Sequence, residues 1–171
     1  MMQGRGSEFM MRYSSLLIAA CLVVSATAYA ASNTSPLEIN AVVVANCQIV
    51  TSDLAFGAYD PLLEHATREL DGSAQVTMLC TRSSREEIII DSGRNPVGTY
   101  RGLSGGTQHV SYQLYRDAGR TQVWGSAGNA LQFVSNGVAR PQRFAVYGRI
   151  PPGQEVASGV YTDVVTATVD F

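Results

Sequence analysis

The stretch VYTDVVTATVDF, residues 160–171, alternates with a period of two: Tyr161, Val165, Ala167, Val169 and Phe171 fall on one face, Thr162, Thr166, Thr168 and Asp170 on the other. Successive side chains of an extended chain point to opposite faces, so this pattern reads as a half-buried β-strand that runs into the terminal residue. A second run of the same kind, Leu37, Ile39, Ala41 and Val43, stands near the other end, ahead of Cys47. An unfinished sheet at one end and a spare strand at the other point to a protein built to complete its neighbour.

Short β-favouring runs fill the sequence between them. Candidate strands cover residues 37–44, 47–51, 73–81, 86–91, 109–116, 122–124, 130–134, 142–147 and 160–171. Turn chemistry separates them at Asp71 and Gly72, at residues 92–96, at Gly105 and Gly106, at residues 117–119, at Asn136 and Gly137, and at residues 151–153. No stretch of eleven or more residues keeps a helical period. The fold class is therefore all-β, an antiparallel sandwich.

Residues 41–45 contain no Gly or Pro, and only Asn46 offers turn chemistry before Cys47. A hairpin that folded this segment back would need more than that, so the run is expected to continue outward, leaving Leu37, Ile39, Ala41 and Val43 without a partner in their own chain. The pattern equally fits a plain edge strand of a complete fold, and both readings stand at this level.

Residues 10–30 read as a secretory signal: Arg12 gives the positive start, residues 16–24 the apolar run, and Ala28, Tyr29 and Ala30 the cleavage site. Residues 1–9 resemble a cloning scar or a misplaced start. Ile18, Ala19, Ala20 and Cys21 also resemble a lipoprotein processing site, though the apolar run continues past Cys21 where such a site turns polar. The run is too short for a membrane span once cleavage is allowed for, and no other span is expected. Domain boundaries follow: signal 10–30, donor segment 31–45, sandwich 46–171.

Removing residues 1–30 takes away Arg5, Arg12 and Glu8, which moves the net charge from −2 to −3. The chain has no Lys and no basic run, so it lacks the electrostatic footprint of a nucleic-acid binder. The remaining 141 residues suit one domain with a full core.

Cys21 leaves with the signal, and the even pair left, Cys47 and Cys80, is expected to form one disulfide in an oxidising compartment. Two cysteines with the scattered His65 and His109 are too few for a zinc site, so no metal and no cofactor are expected.

No catalytic site is legible. Neither histidine lies in a nucleophile motif, and no strand-turn-helix serine elbow occurs. His65 reads as solvated loop, Glu86 and Glu87 as flanking a strand start, and Asp91 as a turn. Tyr112 and Leu114 share a face with Val110 and read as core, while Trp124 reads as a packed strand end rather than a sugar platform. Residues 102–106 lack the following helix that a phosphate cradle needs.

Several runs, taken in order, resemble the spore coat protein U domain family: Phe56, Gly57, Ala58, Tyr59, Asp60 and Pro61; Tyr112 to Asp117; Trp124 and Gly125; Tyr147, Gly148, Arg149, Ile150 and Pro151; Gln154; and Gly159 to Asp163. The resemblance spans nearly all of residues 46–171. It departs at Ser126, Ala127 and Gly128, where the family often carries an acidic residue and a glycine, and at Met78 and Leu79 before Cys80. That family includes pilins of archaic chaperone–usher pili. The resemblance implies an immunoglobulin-like sandwich without its seventh, last strand, completed by donor-strand exchange. It implies export through the periplasm to the cell surface, with a periplasmic chaperone, an outer-membrane usher and other pilin subunits as partners. The donor positions would be Leu37, Ile39, Ala41 and Val43, and the acceptor groove would be bordered by Val165, Ala167, Val169 and Phe171. The function implied is a fibre subunit for attachment and biofilm formation, not an enzyme. A secreted module that completes its own sheet is the alternative.

Overall fold

A computed structural model describes residues 32–82 and 85–171; the leader expected at residues 10–30 lies outside them. The chain divides after Asn40 into two units. In the first, residues 32–40 are exposed and contain no helix or strand. Among the described residues the second holds eight strands: β1 (Cys47–Thr51), β2 (Leu70–Cys80), β3 (Arg85–Ile90), β4 (Arg101–Gly105), β5 (Gln108–Tyr115), β6 (Leu131–Val134), β7 (Gln142–Ile150) and β8 (Ala167–Asp170), with one 3-10 turn at Ala127–Asn129. All pairings are antiparallel and build a five-stranded sheet, β1-β2-β7-β5-β4, and a three-stranded sheet, β6-β3-β8.

Alternation explains how the sheets pack. Val76, Met78 and Cys80 of β2, Ile88 and Ile90 of β3, Val110, Tyr112 and Leu114 of β5, and Val146 and Ile150 of β7 point inward and form one core with Trp124. Phe133 of β6 meets Phe144 of β7 across the layers, ring centroids 4.9 Å apart. Polar ties cross the same gap. Arg101 of β4 donates from Nε to the Asp91 carbonyl at 2.8 Å and from one terminal nitrogen to the carbonyls of Ile90 at 3.1 Å and Trp124 at 2.8 Å, while its other terminal nitrogen bonds Gln113 Oε1. The Trp124 indole donates to the Ile88 carbonyl at 2.9 Å. A buried guanidinium is tolerated there because its donors meet carbonyl and amide acceptors.

Four expectations are corrected. The run at residues 37–44 is in neither sheet and carries no strand. Of residues 160–171, only Ala167–Asp170 is a strand, although the in-out alternation persists from Tyr161 to Asp170; the residues before it are held by side-chain bonds to Asp91 and Asp163, an isolated backbone bridge between Thr162 and Ser104, and a bond from Asp91 N to the Thr166 carbonyl, rather than by a continuous ladder. Residues 122–124 form an isolated bridge between Val123 and Tyr115 rather than a strand. Asp71 and Gly72 lie within β2, not in a turn. Gly72 stands directly opposite Gly148 of β7, and a Cβ on either would meet Leu54 or Phe56 at 3.1 Å or less. These glycines form a notch for the segment that follows β1. Strand β4 is an addition, hidden by Gly102 and Gly105, which are small because Asn95 and the Tyr161 ring occupy the space of their side chains.

Candidate functional site

Strands β1 and β8 are edges of different sheets; they approach each other, and open space lies between the end of β1 with the residues after it and residues 163–167, which lead into β8. One cleft of about 600 Å³ is walled by Ile49 and Thr51 on one side and Val164, Val165 and Ala167 on the other. Its floor is the core itself: Val76, Ile90, Leu114 and Val146. A wider cleft of about 1470 Å³ continues from it between residues 54–62 and 159–163, and the two share Leu54, Phe56, Leu103 and Asp163. Together they make one trench. From its narrow end to its wide mouth one wall rises in number, from Ile49 to Leu62, and the other falls, from Ala167 to Gly159. The walls therefore run antiparallel to each other.

Carboxylates fix the second wall. Asp163 accepts from Tyr112 Oη at 2.9 Å, from Arg94 N at 3.0 Å and from Asn95 Nδ2 at 3.1 Å. Burial first, then the Asp163 carboxylate, pushes the Tyr112 phenol far above its ordinary range, so it stays a donor. A Cβ on Gly93 would lie 2.1 Å from Asp163 Oδ2, and its φ of +76° also demands glycine. Asp91 Oδ1 accepts from the backbone N–H of Gly93 and Thr166, each at 2.9 Å. Burial opposes its charge, yet these two bonds hold its carboxyl below the ordinary value.

The wide mouth is braced by the quoted motifs. Tyr59 Oη donates to the Pro151 carbonyl at 2.9 Å and accepts from Gln154 N at 3.0 Å. The Gln154 side chain pairs with both backbone groups of Ser111, at 2.7 and 2.9 Å. His65, expected in solvated loop, is buried: its ring stacks on Tyr59 at 5.2 Å and its Nδ1 accepts from Asp60 N at 3.0 Å. Phe56 to Pro61, Gly148, Gln154 and Tyr161 to Asp163, scattered through the sequence, thus converge on the trench.

Of the expected groove residues, Val165 and Ala167 line the trench. Val169 packs on the core, and Phe171 is exposed and lines neither cleft. Leu37, Ile39, Ala41 and Val43 are exposed. Cys47 and Cys80 form the expected disulfide between facing residues of β1 and β2. Glu86, expected to flank a strand start, is buried beside that disulfide without a hydrogen-bond partner. Because both sulfurs are bonded to each other, this grouping offers a metal only one carboxylate. Among the described residues, no helix is long and apolar enough to cross a membrane. Pattern reading takes Asp91 and Gly72 for turn residues and reaches Asp163 and Gly148 only through the family resemblance, so their bracing roles were not read from the sequence.

Comparison with known proteins gives one consistent result. Residues 33–168 match the Spore Coat Protein U domain. Protein U of Myxococcus xanthus is 34% identical over 168 residues, covering 90% of this chain and 93% of that protein. Among solved structures, the chain is similar in fold, with a TM-score of 0.54 at 18% identity, to a chain of the CsuC–CsuE chaperone–tip adhesion subunit pre-assembly complex from archaic chaperone–usher Csu pili of Acinetobacter baumannii. The likeness covers 75% of this chain and spans 40% of the length of that one.

Proposed function

The chain belongs to the spore coat protein U domain family, and from that membership and the open trench we propose that it is an exported structural subunit, polymerised by strand exchange into a surface fibre. The observation that carries this reading is the trench between β1 and β8, floored by core side chains. A trench with a floor of apolar core side chains, opening beside edge strands of two sheets, is a template for strand addition. The occupant is residues 37–43 of another copy, with Leu37, Ile39, Ala41 and Val43 turned to the floor. Burial of each large side chain contributes roughly 1.5–3 kcal/mol before ordering costs.

The link favours another copy over the same chain, since residues 44–46 hold no Gly or Pro, and only Asn46 offers turn chemistry for the reversal that self-insertion needs. Cys47 lies at the narrow end, only residues 44–46 beyond the donor segment. Folding back into its own trench, the segment would run antiparallel to β1 and hence parallel to β8. From a neighbour it would run antiparallel to β8 and parallel to β1, the reverse combination. Such head-to-tail contacts do not close, so they generate filaments.

The partners in this scheme are a periplasmic chaperone that covers the trench before assembly, an outer-membrane usher, and other subunits of the same type. The role is structural, not catalytic, and serves attachment and biofilm formation at the cell surface. The test is electrophoresis of the purified assembled protein with and without boiling. Strand exchange predicts a ladder that collapses on heating; a single monomer band under both conditions favours a self-completed coat module.

A further inference from the structure

Leu62, which lines the wide mouth, is 85% exposed, and two large apolar residues adjacent in sequence to mouth residues are exposed as well: Leu63 at 79%, next to Leu62, and Val160 at 84%, between Gly159 and Tyr161. The turn that carries the leucines is rigidly braced. Asp60 Oδ1 accepts from the N–H of both Leu62 and Leu63 at 3.0 Å, the Asp60 carbonyl accepts from His65 N at 2.8 Å, and the His65 carbonyl accepts from Gly153 N at 2.9 Å. Apolar side chains clustered on a fixed turn, rimming a groove, mark an interaction surface.

Chain geometry identifies what covers them. A donor strand antiparallel to the last wall lies with Leu37 at the narrow end and Val43 at the wide mouth. Residues 44–46 allow at most about 14 Å between the Cα atoms of Val43 and Cys47, so the donor copy's body must begin beside the mouth. The Cys47 end of that body has its own apolar residues. Thr81 N donates to the Asn46 carbonyl at 2.9 Å, Ser135 Oγ to the Cys80 carbonyl at 3.2 Å, and a Cβ on Gly137 would lie 3.3 Å from Arg82 Cβ. These ties join the loop bearing Val138, 65% exposed, to the Cys47–Cys80 end of the body, three residues along the chain from Val44, 71% exposed. Exposed Arg82 and Arg140 flank Val138, whereas exposed Glu155 lines the mouth and Glu64 follows the leucines. The charges are complementary, although Glu64 also lies 3.9 Å from Arg68.

Resting on the strand-exchange reading, we infer that adjacent copies share a second contact: the Leu62, Leu63 and Val160 rim of the acceptor seats the Val44 and Val138 end of the donor. This contact fixes the angle between successive subunits, which a single inserted strand leaves free to swing.

The test is a cysteine pair in the full chain, assembled, oxidised and boiled without reductant. Leu62→Cys with Val138→Cys is expected to give a ladder that survives boiling and is lost on reduction. Each single variant, and Val50→Cys with Val138→Cys, should keep only the heat-sensitive ladder. A double variant that assembles like the wild type yet loses its whole ladder on boiling overturns this contact alone. Absence of any ladder from the unboiled wild type overturns strand exchange and the contact with it. As a second measurement, Leu62→Ser with Leu63→Ser should retain the heat-sensitive ladder while the fibres lose stiffness in electron micrographs; unchanged stiffness counts against the contact.

Discussion

Replacing Ile39 by Asp separates the stability of the subunit from the strength of the fibre. Ile39 is 84% exposed in the single chain, so the substitution should change unfolding of the sandwich by no more than about 0.5 kcal/mol. In the fibre the same side chain would lie over a floor built from Val76, Leu114 and Val146. Losing its burial removes roughly 1.5–3 kcal/mol. A carboxylate facing apolar groups without a partner adds at least about 2 kcal/mol more. The sum, about 4 kcal/mol, corresponds to roughly a thousand-fold weaker association between copies. The assay pairs denaturant unfolding with the unboiled gel: the midpoint should hold, the disulfide should form, and the ladder should vanish. A ladder at wild-type level removes Ile39 from the donor role. A midpoint that falls with the ladder means that Ile39 packs within its own body, and the account of a spare strand fails.

Gly148→Val should push Phe56 out of its notch, since the new Cβ would lie 2.7 Å from Phe56 Cζ; the expected loss is about 1–3 kcal/mol in denaturant unfolding, with an unchanged slope. Asp91 is held below its ordinary value of 3.8 by bonds from Thr166 and Gly93, so its contribution is present above that value and is lost as pH falls through the lower folded-state value. Acid titration of stability should accordingly be shallower in Asp91→Asn below about pH 4, and an identical acid limb would remove this tie. Reducing the Cys47–Cys80 bond, which closes a separation of 33 residues, should cost roughly 3–4 kcal/mol by chain entropy, read as a lower midpoint under reductant.

Much of this was legible in the sequence wherever one face of a strand is buried. The in-out pattern of residues 161–170 survived even where the ladder did not form, because Asp91 and Asp163 secure that wall with side-chain bonds that leave no periodic trace. Cys47–Thr51 agrees with its expected bounds at both ends. Strand β4 was not legible: Gly102 and Gly105 look like turn residues, yet they are small to admit Asn95 and the Tyr161 ring. His65 misled for the opposite reason. Polar neighbours suggested solvent, but its ring is enclosed by a stack on Tyr59 and a bond from Asp60. For β4 the Tyr161 ring comes from far along the chain, whereas His65 is enclosed by near neighbours that a turn brings round it, and periodic pattern carries neither.

The central claim is a vacancy between β1 and β8 that another copy fills. An experimental density map of the assembled protein, traced through the backbone, tests it most directly. The account predicts a strand in the trench that is antiparallel to β8 and continuous with residues 37–43 of a neighbouring copy. A trench occupied by the chain's own residues 37–43, or left open within the assembled fibre, would contradict it.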